Sequence, residues 1–116
     1  MNIKIKVGCD IVNINRFVKI IEKQNSTTLD NLFSQYELST NKSIKSLAGI
    51  FAAKESVLKA LELKPGIWRN IEIVKQPNGK PTIKLIDLNE FEIISSDISI
   101  SHDGDYIFAT CSFLIG

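Results

Sequence analysis

The sequence predicts an α+β fold in which a mostly antiparallel sheet packs against one long helix and several shorter ones. Residues 2–9 alternate apolar and polar side chains, which is typical of a half-buried strand. Residues 43–61 are rich in Ala, Leu, Lys and Glu and contain no proline, which predicts the long helix. After Pro65 the apolar residues recur with a period of two, which predicts further strands, about three to five in total.

The shorter helices lie between the first strand and the long helix. Apolar residues recur at spacings of three and four over residues 11–23, which predicts a helix there. Residues 24–31 are mostly polar, which predicts a loop that can include a helical turn near Leu29. Ser34 and Glu37 have the Ser-x-x-Glu spacing of a capping box, and this spacing predicts a short helix over residues 35–39.

Two turns containing glycine separate the later strands. Asn78-Gly79 and Asp103-Gly104 each lie between segments that alternate apolar and polar residues. Asn-Gly and Asp-Gly are favoured in type I′ turns, so each dipeptide predicts a β-hairpin of that type.

Composition bounds the class of protein. The chain has 116 residues, 44% of them hydrophobic and 23% charged, which predicts a single folded domain over residues 1–116 and excludes intrinsic disorder. The net charge of +1 provides no overall field toward nucleic acid or a membrane, and no apolar run is long enough to span a bilayer. A domain of this size favours a groove or a subunit interface over a deep pocket as its site.

The cysteines and the single histidine argue against a structural metal site. Cys9 and Cys111 lie 102 positions apart in apolar runs, so we expect both to be buried free thiols in a reducing cytoplasm. His102 has no Cys-x-x-Cys pair to accompany it, which makes a structural zinc site improbable.

Glu55 interrupts the apolar stripe of the long helix. On a helical wheel that starts at Ile44 it falls at about 20°, beside Ala48 and Phe51. A carboxylate that faces a core needs a cation, a metal ion or a hydrogen-bond network as its partner. Lys59 lies four residues further along, so an ordinary salt bridge within the helix is the structural explanation.

Asp10 is a second carboxylate in an apolar setting. It either ends the first strand and caps the next helix, or shares a divalent cation with Glu55. Mg²⁺ takes one or two protein carboxylates and completes its shell with water and phosphate oxygens. An ion held in this way neutralises charge on a transferring phosphoryl group.

Ser101 and His102 lie at the end of a predicted strand, next to the second turn. A lone histidine at a hairpin is most often structural, and contact with a phosphate or a ribose is the functional alternative. No serine or cysteine is arranged with it as a nucleophile, so a catalytic triad is not expected.

Five motifs occur in order along the chain. They are Gly8-Cys9-Asp10-Ile11-Val12 followed by Arg16, Phe33-Ser34-Gln35-Tyr36-Glu37, Phe51-Ala52-Ala53-Lys54-Glu55-Ser56-Val57-Leu58-Lys59-Ala60, Ile71-Glu72-Ile73 with Asn78-Gly79-Lys80-Pro81, and Ser99-Ile100-Ser101-His102. Together they resemble the motifs of the holo-acyl-carrier-protein synthases, the small bacterial 4′-phosphopantetheinyl transferases. The resemblance runs nearly from end to end.

The resemblance implies a fold and a reaction. It implies the 4′-phosphopantetheinyl transferase fold, and an enzyme in which a serine of an apo acyl carrier protein attacks the β-phosphate of coenzyme A. The products are the holo carrier protein and 3′,5′-ADP, formed with Mg²⁺ in the cytoplasm, in fatty acid or polyketide biosynthesis. Members of the family are typically homotrimers with active sites at subunit interfaces.

The resemblance also implies roles for particular residues. Asp10 and Glu55 would hold Mg²⁺, while Lys59 and Lys54 would contact phosphate oxygens or help to deprotonate the attacking serine. Arg16 matches a residue that meets the acidic carrier protein. The positions that match the coenzyme A groove, contributed by a neighbouring subunit, are Gly79, Lys80, Pro81, Ser101 and His102. The resemblance leaves three alternatives for the general base: a lysine, Asp10 acting through water, and a metal-bound water.

Three segments depart from the family pattern, and one of them is the stretch after Arg16, which is less basic than in many members. Ile50 follows Gly49 where the family commonly has Arg, which removes a basic contact expected near the nucleotide. Residues 61–68 replace a stretch that is usually glycine-rich. The alternative function is therefore a non-catalytic relative that binds coenzyme A or a carrier protein. A plain metal-dependent phosphohydrolase is a third possibility.

Overall fold

The computed structural model describes residues 2–23 and 26–116, and in them helices and strands are combined as the sequence predicts. In order along the chain the elements are β1 (Lys4–Asn13), α1 (Ile14–Glu22), α2 (Ser26–Leu32), α3 (Gln35–Thr40), α4 (Ile44–Ala60), a short 3₁₀ helix (Trp68–Asn70), β2 (Ile71–Lys75), β3 (Pro81–Leu85), β4 (Ile93–Asp103) and β5 (Tyr106–Ile115). The predicted α+β class is confirmed.

The strands of this part of the chain form two antiparallel sheets. In the larger sheet β5 lies in the centre, between β1 and β4, and β2 and β3 form a separate hairpin. The inner face of the larger sheet packs on α4, because alternate residues of each strand point toward that helix. Its buried side chains are Val12, Ile98, Ile107, Ala109, Cys111 and Phe113.

Gly8 allows β1 to lie directly against α4. A Cβ atom at this position would overlap the Ser56 carbonyl oxygen and would lie 2.7 Å from the Ala60 amide nitrogen. Only a residue without a side chain permits so close an approach of two backbones. This contact sets the height of β1 over the helix, and therefore the position of Asp10 two residues further on.

The first strand is longer than predicted, and α1 begins later. β1 pairs with β5 as far as Asn13, opposite Tyr106, so residues 11–13 are strand and not helix. Asn13 is the N-cap of α1, since its Oδ1 accepts the Arg16 amide hydrogen at 3.1 Å. The explanation of Asp10 as the cap is therefore wrong, because Asp10 lies within the strand.

A helix replaces most of the loop predicted over residues 24–31. Residues Ser26–Leu32 form α2, and Gln24 and Asn25 lie outside the described residues. The capping box is confirmed: the Ser34 hydroxyl accepts the Glu37 amide hydrogen at 3.1 Å, and the Ser34 amide donates to Glu37 Oε1 at 2.8 Å.

Both glycine turns form, but neither is type I′. At the first turn the Gly79 amide donates to the Gln76 carbonyl at 2.8 Å, and Gly79 but not Asn78 has a positive φ (88°). This geometry is a turn centred on Pro77 and Asn78, followed by a left-handed glycine.

The second turn is a two-residue loop, because Asp103 still pairs with Tyr106 across the sheet. Its first residue, Gly104, has a positive φ (59°) and its second residue, Asp105, does not. This is the type II′ pattern, which places glycine first. The two loop residues are therefore Gly104 and Asp105, one position later than the predicted Asp103-Gly104.

Both cysteines are free thiols, but only Cys111 is buried. Cys9 is exposed, so the prediction that it is buried is wrong. Its neighbours Gly8 and Asp10 face α4, and the alternation of the strand turns Cys9 to the opposite side. Within the described residues, no helix is both long and apolar enough to cross a membrane.

We expect Gly8→Ala to destabilise the protein by about 3 kcal/mol or more, because the added methyl group forces β1 away from α4. Gly49→Ala is the matched control. There the added Cβ meets Ile100 Cγ2 at an ordinary 3.5 Å, and helix propensity favours alanine by up to about 1 kcal/mol. Urea unfolding of both variants checks the prediction, and equal stabilities would contradict the proposed close contact.

Candidate functional site

Asp10, Glu55 and Lys59, here called the carboxylate cluster, come together where β1 crosses α4. Asp10 points toward the helix because Gly8 and Val12, its neighbours at spacing two, are buried against α4. Glu55 and Lys59 lie one turn apart on α4. The Lys59 ammonium donates to Asp10 Oδ1 at 2.9 Å, and the Asp10 side chain is only 16% exposed.

The sequence left open an ordinary salt bridge between Glu55 and Lys59. In the part of the chain that the structure describes, the ion-pair partner of Lys59 is Asp10 instead. Glu55 Oε1 accepts a hydrogen bond from the indole nitrogen of Trp68 at 3.2 Å. Of the partners that the sequence left open for Glu55, the structure thus shows a hydrogen-bond donor in place of Lys59.

Charge and burial shift the pKa values of two groups in the cluster. Burial is the main cause of the raised pKa of Glu55; the hydrogen bond from Trp68 lowers this pKa, and the smaller effects of the Asp10 carboxylate and the Lys59 ammonium raise and lower it, respectively. The hydrogen bond to Asp10 raises the pKa of Lys59, so this lysine is a cation at neutral pH. The cluster thus combines a carboxylate that is costly to ionise with a firmly charged ammonium.

An open groove of about 290 Å³ lies beside the carboxylate cluster. Asp10 and Glu55 form part of its wall, and the aromatic rings of Phe17 and Phe51 form an apolar part. Arg16, exposed on α1, also lines it. The groove therefore joins the two predicted metal ligands to the residue predicted to meet a carrier protein.

Asp10 and Glu55 fit a magnesium ion of the kind that binds phosphates. Among residues 2–23 and 26–116, no group of three or more Asp, Glu, His or Cys side chains is close enough to form a cage made of protein ligands alone. Two carboxylates at an open groove suit Mg²⁺, which retains water and binds substrate phosphates. Burial, and to a smaller extent the Asp10 carboxylate, raises the pKa of Glu55, and a bound cation would stabilise the charge of both carboxylates.

Lys54 does not reach the groove. Its ammonium is completely buried, 2.6 Å from Glu37 Oε1, and donates to the carbonyl oxygens of Leu32 at 2.9 Å and Trp68 at 3.2 Å. These three partners occupy the three hydrogens of an ammonium group. Burial lowers the pKa of Lys54, although Glu37 opposes this effect. The predicted contact of Lys54 with phosphate finds no support in this placement.

The residues predicted to line a coenzyme A groove lie apart from the carboxylate cluster. A groove of about 460 Å³, here called the hairpin groove, is lined by Gly79, Pro81 and His102, with Ile50 and Lys45 from α4. A smaller groove of about 300 Å³ contains Ser101 and His102 and reaches Ile11 on β1.

Lys80, also predicted for the coenzyme A groove, forms an exposed ion pair with Asp97 at 2.8 Å and lines a third groove. Within the described chain, the predicted site residues other than Lys54 therefore fall into two groups: the carboxylate cluster with Arg16, and the residues around the β2–β3 turn and the end of β4.

Trp68 and Glu37 are two contributors that sequence reasoning did not assign. Glu37 was identified only as part of a capping box, although its Oε2 also accepts the Ile73 amide hydrogen at 2.8 Å. Trp68 lies in the segment that departs from the family pattern, and no spacing relates it to Glu55. Its being the single tryptophan of the chain was the only available signal.

Comparison with known proteins identifies the family. A profile described as the 4′-phosphopantetheinyl transferase superfamily matches residues 6–111, which include the carboxylate cluster and the residues around both glycine turns. The chain belongs to this superfamily. The resemblance found in the sequence motifs is thereby confirmed.

Curated proteins of this superfamily are similar over nearly the whole chain. A holo-acyl-carrier-protein synthase of Nautilia profundicola is 38% identical over 111 residues, covering 93% of this chain and 98% of that protein. A protein of the same name from a Sulfurovum species is 37% identical over 112 residues, covering 92% and 94%. These relatives confirm the predicted enzyme class.

Solved structures of phosphopantetheinyl transferases share the fold. The structure named "Chronobacterium ammoniagenes ACPS-CoA complex" matches with a TM-score of 0.84 at 25% identity, covering 97% of this chain and 98% of that chain. A Helicobacter pylori holo-acyl-carrier-protein synthase in complex with coenzyme A matches with a TM-score of 0.78 at 30% identity, covering 95% and 99%. The predicted fold is confirmed.

We expect Lys54→Met to lower stability by about 3–5 kcal/mol, because it leaves the Glu37 carboxylate buried without its cation. Lys42→Met, an exposed lysine just before the same helix, is the control and should change stability by less than about 0.5 kcal/mol. Thermal unfolding measures both. A Lys54→Met protein that is as stable as the wild type but binds coenzyme A weakly would instead support the phosphate contact.

Proposed function

We propose that this chain transfers the 4′-phosphopantetheine arm of coenzyme A to a serine of an apo acyl carrier protein and releases 3′,5′-ADP. The observation that carries the proposal is the carboxylate cluster: two acidic side chains from different elements, and one lysine cation, meet beside an open groove. The relatives that match most of the chain are named for this activity. The proposed catalytic unit is the domain of residues 1–116.

Asp10 and Glu55 are the proposed holders of Mg²⁺. When bound there, the ion would offset the negative charge that builds up on the phosphoryl oxygens. The protein holds both carboxylates in position. Asp10 is held by the pairing of β1 with β5, and Glu55 by α4 and the hydrogen bond from Trp68. Both carboxylates are thus fixed before any ligand arrives, which lowers the cost of ordering the site.

Lys59 is the proposed electrostatic partner of the phosphate oxygens. The serine oxygen forms a bond to phosphorus while the bond to the leaving 3′,5′-ADP breaks, and the serine proton passes to a base. Because the pKa of Lys59 is raised, this lysine stays protonated and is poorly suited to be that base. Of the two kinds of protein group that the sequence offers as this base, a lysine and Asp10 acting through water, Asp10 is therefore the proposed one.

The hairpin groove is the proposed site for the nucleotide end of coenzyme A. Gly79, Pro81 and His102 line it, as the family resemblance implies. Ile50 occupies the α4 wall where the family commonly has arginine, and its side chain is buried. Lys45 and Lys75 also line this groove and supply positive charge for phosphate.

A homotrimer is the proposed assembly. The face of the larger sheet that points away from α4, here called the outer sheet face, is formed by Ile5, Val7, Cys9, Ile11, Tyr106 and Phe108. Val7 and Ile11 are each 64% exposed, and a lone folded domain rarely leaves so contiguous an apolar patch in water. Covering this face with another subunit offers a way to join the two groups of site residues.

The carrier protein is proposed to dock beside α1. Arg16 lines the groove of the carboxylate cluster, and Lys19 is exposed further along the same helix. Positive charge placed locally attracts an acidic partner even though the net charge of the chain is only +1. We place the reaction in the cytoplasm, in fatty acid or polyketide biosynthesis. The two free thiols support a reducing compartment.

The transfer is tested by the intact mass of an apo acyl carrier protein mixed with this chain, coenzyme A and Mg²⁺. We expect the carrier to gain one phosphopantetheine group, and to gain none when a chelator removes Mg²⁺. Asp10→Asn and Glu55→Gln should each lower kcat/KM by about 100-fold or more, because charge stabilisation at the phosphoryl group is lost. The exposed Glu90→Gln is the charge-matched control and should retain full activity.

The same assay separates the alternative function. Binding of coenzyme A without transfer to any of several carrier proteins, unaffected by Glu55→Gln, would identify a non-catalytic relative. The replacement of arginine by Ile50 is the feature that favours this second candidate. Release of phosphate from simple phosphoesters in the absence of a carrier protein would point to a hydrolase instead.

The assembly is tested by light scattering after gel filtration. We expect three times the monomer mass for the wild type and a monomer for Phe108→Glu, because the new carboxylate lies in the outer sheet face. Ile44→Glu is the control: it is 41% exposed, against 42% for Phe108, but lies on α4. A wild-type protein that is monomeric while active would refute the trimer.

A further inference from the structure

The indole of Trp68 is the side-chain donor to the Glu55 carboxylate in the part of the chain that the structure describes. Its Nε1–H group donates to Oε1 at 3.2 Å, from the short 3₁₀ helix that precedes β2. Lys59, the nearest cation along α4, pairs with Asp10. The orientation of the Glu55 carboxylate therefore depends on Trp68.

Two sets of contacts hold Trp68 in place. Its ring packs against Phe51 with a centroid distance of 6.1 Å, and Phe51 packs against Phe17 at 5.4 Å. Its backbone carbonyl accepts hydrogen bonds from the buried Lys54 ammonium and from the Ile71 amide. Both the ring and the backbone of Trp68 are thus held by the core, so its N–H donor has a fixed position relative to Glu55.

A neutral donor suits a carboxylate that is to bind a cation. The terminal torsion of a glutamate side chain is broad, so an unrestrained carboxylate samples many orientations. A lysine in this role would restrain Glu55 but would also neutralise its charge. An indole N–H restrains one oxygen, leaves the net negative charge intact, and leaves Oε2 without a protein donor among the described residues.

We propose that Trp68 is a positioning residue that orients Glu55 for a divalent cation. The inference rests on the proposed function, because it takes Glu55 as a metal ligand. Residues that hydrogen-bond a metal ligand typically change metal affinity by about 10- to 100-fold when they are replaced. Trp68 acts through Glu55 and does not itself touch the cation or the substrates.

The test compares Mg²⁺ binding to the wild type and to Trp68→Phe, measured by calorimetry with Mg²⁺ alone. The phenylalanine keeps an aromatic ring against Phe51 and removes the N–H donor. We expect the dissociation constant for Mg²⁺ to rise by about 10- to 100-fold. In the transfer assay, the Mg²⁺ concentration for half-maximal activity should rise equally. At saturating Mg²⁺, kcat and the KM for coenzyme A should change by less than about threefold.

Phe51→Leu is the matched control. It loosens the packing of the Trp68 ring but leaves its N–H donor in place, so we expect a loss of stability with a smaller change in Mg²⁺ affinity. If Phe51→Leu weakens Mg²⁺ binding as much as Trp68→Phe does, then packing and not the hydrogen bond is responsible, and the proposal is overturned.

Trp68 also provides a spectroscopic readout, because it is the single tryptophan of the chain. Saturation with Mg²⁺ should change its fluorescence in the wild type, with the midpoint that calorimetry gives, and should not do so in Glu55→Gln. Unchanged fluorescence in a wild type that binds Mg²⁺ would overturn the proposal, even if Trp68→Phe failed to fold. Mg²⁺ binding without transfer would count against the proposed function only.

Discussion

A buried ion pair between Glu37 and Lys54 joins the segments that surround α4. Glu37 accepts hydrogen bonds from the amides that begin α3 and lie within β2, and Lys54 donates to carbonyls at the end of α2 and in the 3₁₀ helix. Four backbone segments thereby meet α4 through two charged side chains. Both side chains are fully buried, so their charges are tolerable only because every partner is present.

This arrangement explains why a lysine from the most distinctive motif of the chain is absent from the groove. Lys54 and Glu55 are neighbours on α4 and therefore point in directions about 100° apart. One faces the core and organises the segments around it, while the other faces the groove. Trp68 links the two, since its carbonyl binds Lys54 and its indole binds Glu55. The core and the carboxylate cluster are consequently parts of one network.

Much of the architecture was predictable from local patterns, because alternation, helix propensity and glycine turns act over a few residues. The long helix was expected over 43–61 and is found at Ile44–Ala60, and the capping box at Ser34 forms as expected. The predictions were wrong where contacts between distant segments determine the structure. Pairing with β5 extends β1 to Asn13, and the two faces of the same strand separate Cys9 from Asp10.

In the candidate site too, local features were predictable from the sequence and contacts between distant segments were not. The sequence alone showed Glu55 in an apolar stripe, and it allowed the hypothesis that Asp10 lies beside Glu55. The partner of each charge was not predictable, because Lys59 has acidic groups available both along the helix and across to β1, and only the crossing of β1 over α4 decides between them. Trp68 and Glu37 were unassigned for the same reason: their partners lie 13 and 17–36 positions away along the chain.

The topology of the larger sheet has a consequence for the order in which the protein folds. Asp10 lies opposite Ala109, so the strand that carries the first carboxylate has as its sheet neighbour a strand about 100 positions later in the chain. Contacts over such separations form slowly, because a long loop must close before they stabilise anything. The helix that carries Glu55 and Lys59 needs only local contacts to begin forming. We therefore expect Asp10 and Glu55 to come together late in folding, after β5 has paired with β1.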